Sequence, residues 1–449
     1  MAENHTTEAV CLLEQGALYR RRIGLDRLTT PGDPIFAGFK PGAFSIYFGD
    51  APIYHFDLEG RWQRAFVDGT HFLKGLDATI QTIDRIREGP NLVLKRQTLG
   101  YAESSDFDSR IRSMALEMIA DLDAERLGRT EPPPLKARPL ESNDLREFLD
   151  RIVRWDAAAW FAHRERYLAT YGAPLTFLPP ECQNAVVLQA TLGDAGNFGS
   201  GCSPAVEPHA RTPAEFERHA SEVAALWGRR LSQSRIVFLA GSNVLHRPEE
   251  DVKAYLTAAG RVLPLVTTSP RGAVDRSADA GETASRLEGV HAMLDEFAPS
   301  RPERAAWLDY AALGLIRVSL GVWSGDPETR AIHRHTWDDN DLRATLADLK
   351  AAGLGASILV LVGAGGVERA EPHVELTARL VESLDLFPGD FVFLLDENEI
   401  RDPNRSPEDL TPLLGPAWSE QQAKLKEALA PLKKRGIKVL PYTMEKQWT

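Results

Sequence analysis

The chain has 449 residues, 43% hydrophobic and 26% charged, a globular composition too long for one ordinary domain. A net charge of -12 argues against general affinity for nucleic acid or an anionic membrane, and no run reaches the roughly 18 apolar residues of a membrane helix. Three cysteines make no disulfide framework, and the start, MAENHTTEAVCLLEQGALYRR, lacks the basic region and apolar core of a signal peptide, so a cytoplasmic location is expected.

The first hundred residues read as β-rich. AFSIYFG (43–49), APIYHFDLEGRWQRAFV (51–67) and NLVLKRQTL (91–99) alternate apolar and polar positions, with DLEG as a hairpin turn. The stretch YHFDLEGRWQRAFVDGTHFLKG carries aromatics with His55, Arg61, His71 and Lys74. It reads as a small sheet domain with aromatic cross-strand pairs, a recognition surface being the alternative. A helix is expected over 107–127, then a proline-marked linker, EPPPLKARPL, and a helical segment over 141–172.

From Ala185 short apolar runs alternate with helical patterns: AVVLQAT, RIVFLAG, VLPLVTT, LIRVSLG, SILVLVG and FVFLLDE, then a seventh, IKVLPYT, after a C-terminal helix. Between the first two, Thr212 caps a helix with Pro213 at its first position and Glu215 closing a capping box. Strands of this kind are parallel and buried on both faces. The expected fold is α/β, a partial (βα)6-type TIM-like barrel with a β-rich N-terminal domain. The expected division is 1–130, the β-rich domain; 131–182, linker and helices; 183–400, the barrel; and 401–449, a helix and strand extension.

Several linked segments between Ala185 and Glu399 resemble the radical S-adenosylmethionine (SAM) superfamily. They are HARTPAEFERHASEV, RIVFLAGSNVLHRPEEDVKAYLTAAG, and the stretch from ALGLIRVSLGVWSGD through LADLKAAGLGASILVLVGAGG. The resemblance implies SAM as ligand and a [4Fe–4S] cluster held by three cysteines in the spacing C-x3-C-x2-C. In GNFGSGCSPAVEPHARTP, however, the two positions that follow Cys202 at that spacing are Val206 and His209. From Cys182 they are Val186 and Gln189, and Cys11 lies far away in sequence. Valine cannot ligate iron, so the cluster is expected to be absent. Trp323 stands where the resemblance expects glutamate, whereas the glycine turn VGAGG is intact.

A ligand, SAM or a related small molecule, is expected at the C-terminal strand ends. Its site residues would be Gly241, Ser242, Asn243, Ser324, Gly363, Gly365, Gly366, Asp396 and Glu397. They combine small residues that admit a ligand with polar groups that orient it. The substrate class, small molecule or peptide, stays open; neither nucleic acid nor membrane is expected as a partner. Two alternatives stand beside this reading. One is a non-catalytic barrel for binding or assembly with a partner. The other is a metal-dependent enzyme whose His209, His246, His333, His335 and His373 converge with Asp396 or Glu397, although no pair has the spacing of a known ligand motif.

Overall fold

The computed structural model describes residues 15–21, 34–88, 91–130, 138–172, 178–192, 209–241, 244–266, 287–297, 301–333, 335, 337–397 and 411–442. Contacts divide the chain into two units. The first comprises Met1–Thr170 and Ala225–Gln233, the second Tyr171–Ala224 and Ser234–Trp448.

In the first unit, strands β1 (Gln15–Arg21), β2 (Ile35–Lys40), β3 (Ala43–Phe48), β4 (Ile53–Asp57), β5 (Trp62–Val67), β6 (Thr70–Lys74), β7 (Ile80–Glu88) and β8 (Asn91–Thr98) pair in chain order as an antiparallel meander. Two short strands, β9 (Leu127–Arg129) and β10 (Arg138–Pro139), flank β1. The alternating runs read from sequence become β3, β4, β5 and β8, and DLEG makes the turn between β4 and β5, with Gly60 at φ +83°.

Helices α1 (Tyr101–Asp123), α2 (Ser142–Val153) and α3 (Ala157–Thr170) share one core with this sheet. On α2 the buried positions Leu145, Phe148, Leu149 and Ile152 recur with helical spacing and form one apolar stripe. Phe148 stands among Phe39, Phe44 and Phe56, with ring centroids 5.3, 4.1 and 6.3 Å away. The helical segment expected between two domains therefore lies on the β-rich sheet, and the contact boundary falls after Thr170. Most of the proline-marked linker, residues 131–137, lies outside the described residues.

Arg61 and Lys74, two of the polar groups in the aromatic hairpin stretch, are buried in ion pairs. Arg61 Nε donates to Asp57 Oδ2 at 2.6 Å, and its terminal nitrogens donate to the carbonyls of Leu226 and Trp227. Lys74 Nζ lies 2.7 Å from both carboxylate oxygens of Asp108 and 3.7 Å from the centre of the Trp160 ring. Burial draws its pKa down to about 8, against the pull of Asp108.

The second unit is a parallel sheet of seven strands in chain order: β11 (Val186–Gln189), β14 (Val237–Ala240), β15 (Val290–Leu294), β16 (Leu315–Trp323), β17 (Gly355–Val362), β18 (Phe391–Asp396) and β19 (Lys438–Tyr442). A short antiparallel pair, β12 (Thr191–Leu192) and β13 (His209–Ala210), follows β11. Helices α4 (Pro213–Trp227), α5 (Glu249–Val262), α6 (Arg304–Ala312), α7 (Pro327–Ile332), α8 (Asp339–Ala351), α9 (Ala370–Glu382) and α10 (Gly415–Ala428) alternate with the strands. The box at the head of α4 forms as expected: the Thr212 amide donates to Glu215 at 2.8 Å, and the Glu215 amide donates to Thr212 Oγ1 at 3.3 Å.

The third strand differs from the sequence reading. VLPLVTT is the end of α5 and the chain beyond it. Leu265 makes one isolated bridge to Leu287, and Pro264 has no amide to give a ladder. The third strand is VHAML, Val290–Leu294, whose polar His291 breaks the apolar run that marks its neighbours.

The sheet is curled. Segment 178–182, just before β11, touches three separate strands across one of its faces. Tyr442 Oη of β19 donates to the Leu178 carbonyl at 3.4 Å, and Ser319 Oγ of β16 donates to Glu181 at 3.0 Å. Cys182 Sγ lies 3.6 Å from His291 Nδ1 of β15. Among the described residues β11 and β19 stay at opposite ends of the pairing order, so the sheet is open.

The Phe148→Ala variant leaves a cavity among three rings, and loss of about 3–5 kcal/mol is expected from denaturant unfolding of the full chain. A cost under about 1 kcal/mol would show that α2 does not anchor this core.

Candidate functional site

Seven parallel strands bring their C-terminal ends to one rim, where the following loops are free to carry polar groups. Strand registers place Met293, Ser319, Leu359, Phe393 and Tyr442 on one face of the sheet. Near the rim this face carries an apolar cluster. Trp323, Leu359, Leu361, Ala364, Phe393, Leu395 and Tyr442 form one buried cluster.

Trp323 is the centre of that packing. The β16–β17 register slips between Gly321 and Trp323, and Trp323 has φ +60°. That backbone region is costly for a bulky side chain and persists only where the surroundings enforce it. Its ring folds back over Gly321, where a Cβ would meet ring atoms at 2.6 Å and Asp295 Cβ at 2.7 Å. Only glycine at 321 leaves room for this indole.

Two histidines after α7 pair with carboxylates at strand ends. His333 Nε2 is 3.2 Å from Glu397 Oε1 after β18, and both side chains are nearly buried. His335 Nδ1 is 2.9 Å from Glu296 Oε1 after β15, and its ring centre is 6.5 Å from that of Trp323. His246 reaches the same loop, with Nε2 2.9 Å from the Glu296 carbonyl. Each imidazole–carboxylate pair can hold or pass a proton.

The loops after β16 and β17 are tied by Asp326. It caps α7 through the amides of Glu328 and Thr329 and accepts both Nε (2.5 Å) and Nη2 (2.8 Å) of Arg369. Burial raises the Asp326 pKa, but the Arg369 and Thr329 hydrogen bonds outweigh it and hold the carboxyl at about 2. Arg369 also bonds Glu328.

Of the expected ligand residues, Ser242 and Asn243 lie outside the described residues. Gly241, at φ +141°, packs against Thr191, where a Cβ would meet Oγ1 at 2.2 Å. Ser324 is fully buried, 2.8 Å from His373 Nδ1, and also accepts the Asp326 amide. It is therefore committed to the loop's own structure. His373 bonds the Leu361 carbonyl with its other nitrogen, and burial lowers its pKa to about 4, so it is neutral at pH 7.

The glycine turn is a tight strand-to-loop connection covered by the C-terminal segment. Gly363, Gly365 and Gly366 all have positive φ, the Gly363 amide donates to Gln421 Oε1 at 2.6 Å, and the Val367 amide donates to the Thr411 carbonyl. Asp396 accepts the Trp418 indole at 3.1 Å. Glu397, beside Gly363 and paired with His333, is the expected ligand residue that the structure joins to a second ionisable group. Sequence reading had the histidines as metal ligands in one alternative. It missed Glu296 and Asp295, for which the misplaced third strand is the reason.

The histidines do not converge. His209 is exposed 3.7 Å from Glu215, and His373 is buried against Ser324. No group of three His, Cys, Asp or Glu side chains among the described residues could hold a metal ion.

Cys182 lies in the turn that precedes β11, while the loop bearing Cys202 follows β12. Its thiol is fully buried, and burial pushes its pKa well up. Cys11, Cys202 and Val206 lie outside the described residues. Cys182 is thus the one cysteine among the described residues.

No protein-family profile matches the chain, and no curated protein matches it. Among solved structures it is similar to several radical SAM enzymes. The coproporphyrinogen III oxidase of Escherichia coli matches at 14% identity and a TM-score of 0.35, over 49% of this chain and 44% of that one. The radical SAM methyltransferase TsrM of Kitasatospora setae, with cobalamin and a [4Fe–4S] cluster bound, matches at 15% identity and 0.32, over 46% and 36%. SuiB of Streptococcus suis, bound to its precursor peptide SuiA, matches at 10% identity and 0.36, over 85% and 73%. The chain thus spans less than half the length of the first two. No helix among the described residues is long and apolar enough to cross a membrane.

The Asp326→Asn variant should lose about 2 kcal/mol at pH 7 by leaving Arg369 without its carboxylate. Because the carboxyl pKa is depressed when folded, its contribution is complete above the unfolded value near 3.8 and fades as pH falls toward 2. Unfolding curves of wild type and variant should therefore converge between pH 4 and 2. A gap that is constant across that range would exclude the ion pair as its cause.

Proposed function

We propose that the second unit is a partial TIM-like barrel of radical SAM type that binds SAM, or a ligand of like chemistry, at its C-terminal strand ends without an iron–sulfur cluster. The strands pair in chain order, and crossovers of the usual right hand then set their helices on one side, which curls a sheet as a barrel does. The contacts of segment 178–182 with β15, β16 and β19 support that curl.

The position of Cys182 carries the functional part. That thiol is buried before β11, and Val206 and His209 stand at the spacing that follows Cys202, which supports a barrel without the three-thiolate cluster that reductive cleavage of SAM needs. What the rim does offer is carboxylate. Asp295 and Glu397 follow β15 and β18, and SAM carries positive charge on its sulfonium and its amine. His333, against Glu397, is placed to hold a proton beside a bound ligand.

The filled face below the rim favours a second reading, a non-catalytic barrel kept for binding a partner. Trp323 and its cluster leave no deep apolar pocket in the part of the face they occupy.

Two measurements separate these readings. After anaerobic reconstitution the protein should hold no stoichiometric iron or sulfide, and Cys202→Ala should leave the visible spectrum unchanged. A stoichiometric cluster abolished by Cys202→Ala would overturn the assignment. In calorimetric titration SAM should bind wild type, and Glu397→Gln should weaken it at least tenfold, about 1.4 kcal/mol. Equal affinity in a folded Glu397→Gln would remove Glu397 from the site. No SAM binding by wild type would select the non-catalytic barrel.

A further inference from the structure

The first unit's sheet has two unlike faces. One holds Ile35, Phe44, Ile46, Tyr54, Phe56 and Ile80, buried with the helices. On the other, the strand registers line up Phe36, Tyr47, Ile53, Phe66, His71 and Ile83, one residue per strand from β2 to β7. All six are half-buried. A parallel row beside them is polar at its centre: Ser45, His55, Arg64, Leu73 and Gln81.

From this pattern we propose that the second face, opposite the helices, docks an amphipathic helix of a partner protein, with an acidic flank. The proposal is independent of what the second unit binds. Neighbouring strands stand about 4.8 Å apart and an α-helix rises about 5.4 Å per turn, so a helix laid across the strands sets one apolar anchor on each residue of the first row.

Charge selects the flank. Lys40 lies 5.6 Å over the Tyr47 ring, Arg64 is exposed in the second row, and Arg96 stands opposite Ile83. Neither row holds a carboxylate. The first one beyond them in register, Asp57 opposite Ala43, is fully buried and paired with Arg61. His55 adds no charge, because burial and the nearby Lys40 and Arg64 lower its pKa to about 4. In a chain of net charge -12, a face that bears Arg64, Lys40 and Arg96, and whose in-register acid Asp57 is buried against Arg61, forms a local reversal of sign.

Single-stranded nucleic acid, the other ligand of aromatic and basic sheets, fits less well. Tyr47 meets His55 edge to face and Phe66 tilts against His71 at 4.7 Å, so the rings are engaged with one another rather than splayed for bases. Ile53 and Ile83 in the row are anchors for apolar side chains.

The test uses the full chain and a fluorescent synthetic helix of about 20 residues, with leucines at i, i+3, i+4 and i+7 and glutamates along one flank. Saturable binding is expected, at least ~10-fold weaker for the same peptide with lysine in place of glutamate. Arg64→Glu, an exposed substitution, should weaken binding at least ~10-fold, as should Tyr47→Ser with Phe66→Ser. Circular dichroism checks folding, and if the double variant unfolds, Arg64→Glu alone decides. Absent binding, binding indifferent to Arg64→Glu, or tighter binding of an oligouridylate than of the peptide would each overturn the proposal.

Discussion

A parallel sheet wound in chain order has one face with no helices to cover it, and the second unit depends on how that face is filled. Helices supplied by the crossovers all fall on the other side. The protein's answer is to fill the curl from its own backbone and strands. Segment 178–182 lies across it near β15, β16 and β19, and the Trp323 cluster packs the part toward the rim. Ser319 and Tyr442 give their hydroxyls to groups of that segment, so polar atoms are buried with partners.

Trp323 shows the cost of this solution. An indole at φ +60°, a register slip in β16 and a glycine at 321 with no room for a methyl group form one device. None of the three is useful alone. The slip turns the chain, the glycine leaves the space, and the ring occupies it. The buried area of a tryptophan outweighs backbone strain of about 1–3 kcal/mol only because the ring is wholly enclosed.

Much of the frame was legible in the sequence, because parallel strands buried on both faces read as apolar runs. The strands β11, β14, β18 and β19 lie within runs read that way, β16 and β17 overlap theirs, and the cap of α4 forms as read. The third strand was not legible. Its inward His291 interrupts the run, while VLPLV, more apolar, ends a helix. In the first unit β1, β2 and β7 escaped notice because their alternation is broken by glycine and charge, whereas β6 lies within the aromatic stretch read as sheet. At the site, sequence identified His333, His335 and Glu397 as polar groups near strand ends but could not pair them. Pairing depends on the chain after α7 directing His333 and His335 toward residues that follow two different strands. Ser324 and the glycine turn read as ligand contacts because small and hydroxyl residues serve either purpose. Their partners, His373 and Gln421, lie 49 and 58 residues away.

The rim after β16, β17 and β18 is cross-linked by its own polar groups. Arg369 joins the second of these loops to the first through Asp326, His333 joins the first to the third through Glu397, and Thr411 and Gln421 hold the glycine turn from the C-terminal side. A site fixed in this way has little conformational entropy left to lose on binding, and most of a ligand's interaction energy is kept as affinity. The same fixity limits chemistry. With Asp326 committed to Arg369 and His373 neutral and enclosed, the pairs placed to exchange protons there are His333–Glu397 and His335–Glu296. Among the described residues, carboxylates stand at the ends of β15 and β18, through Asp295, Glu296 and Glu397.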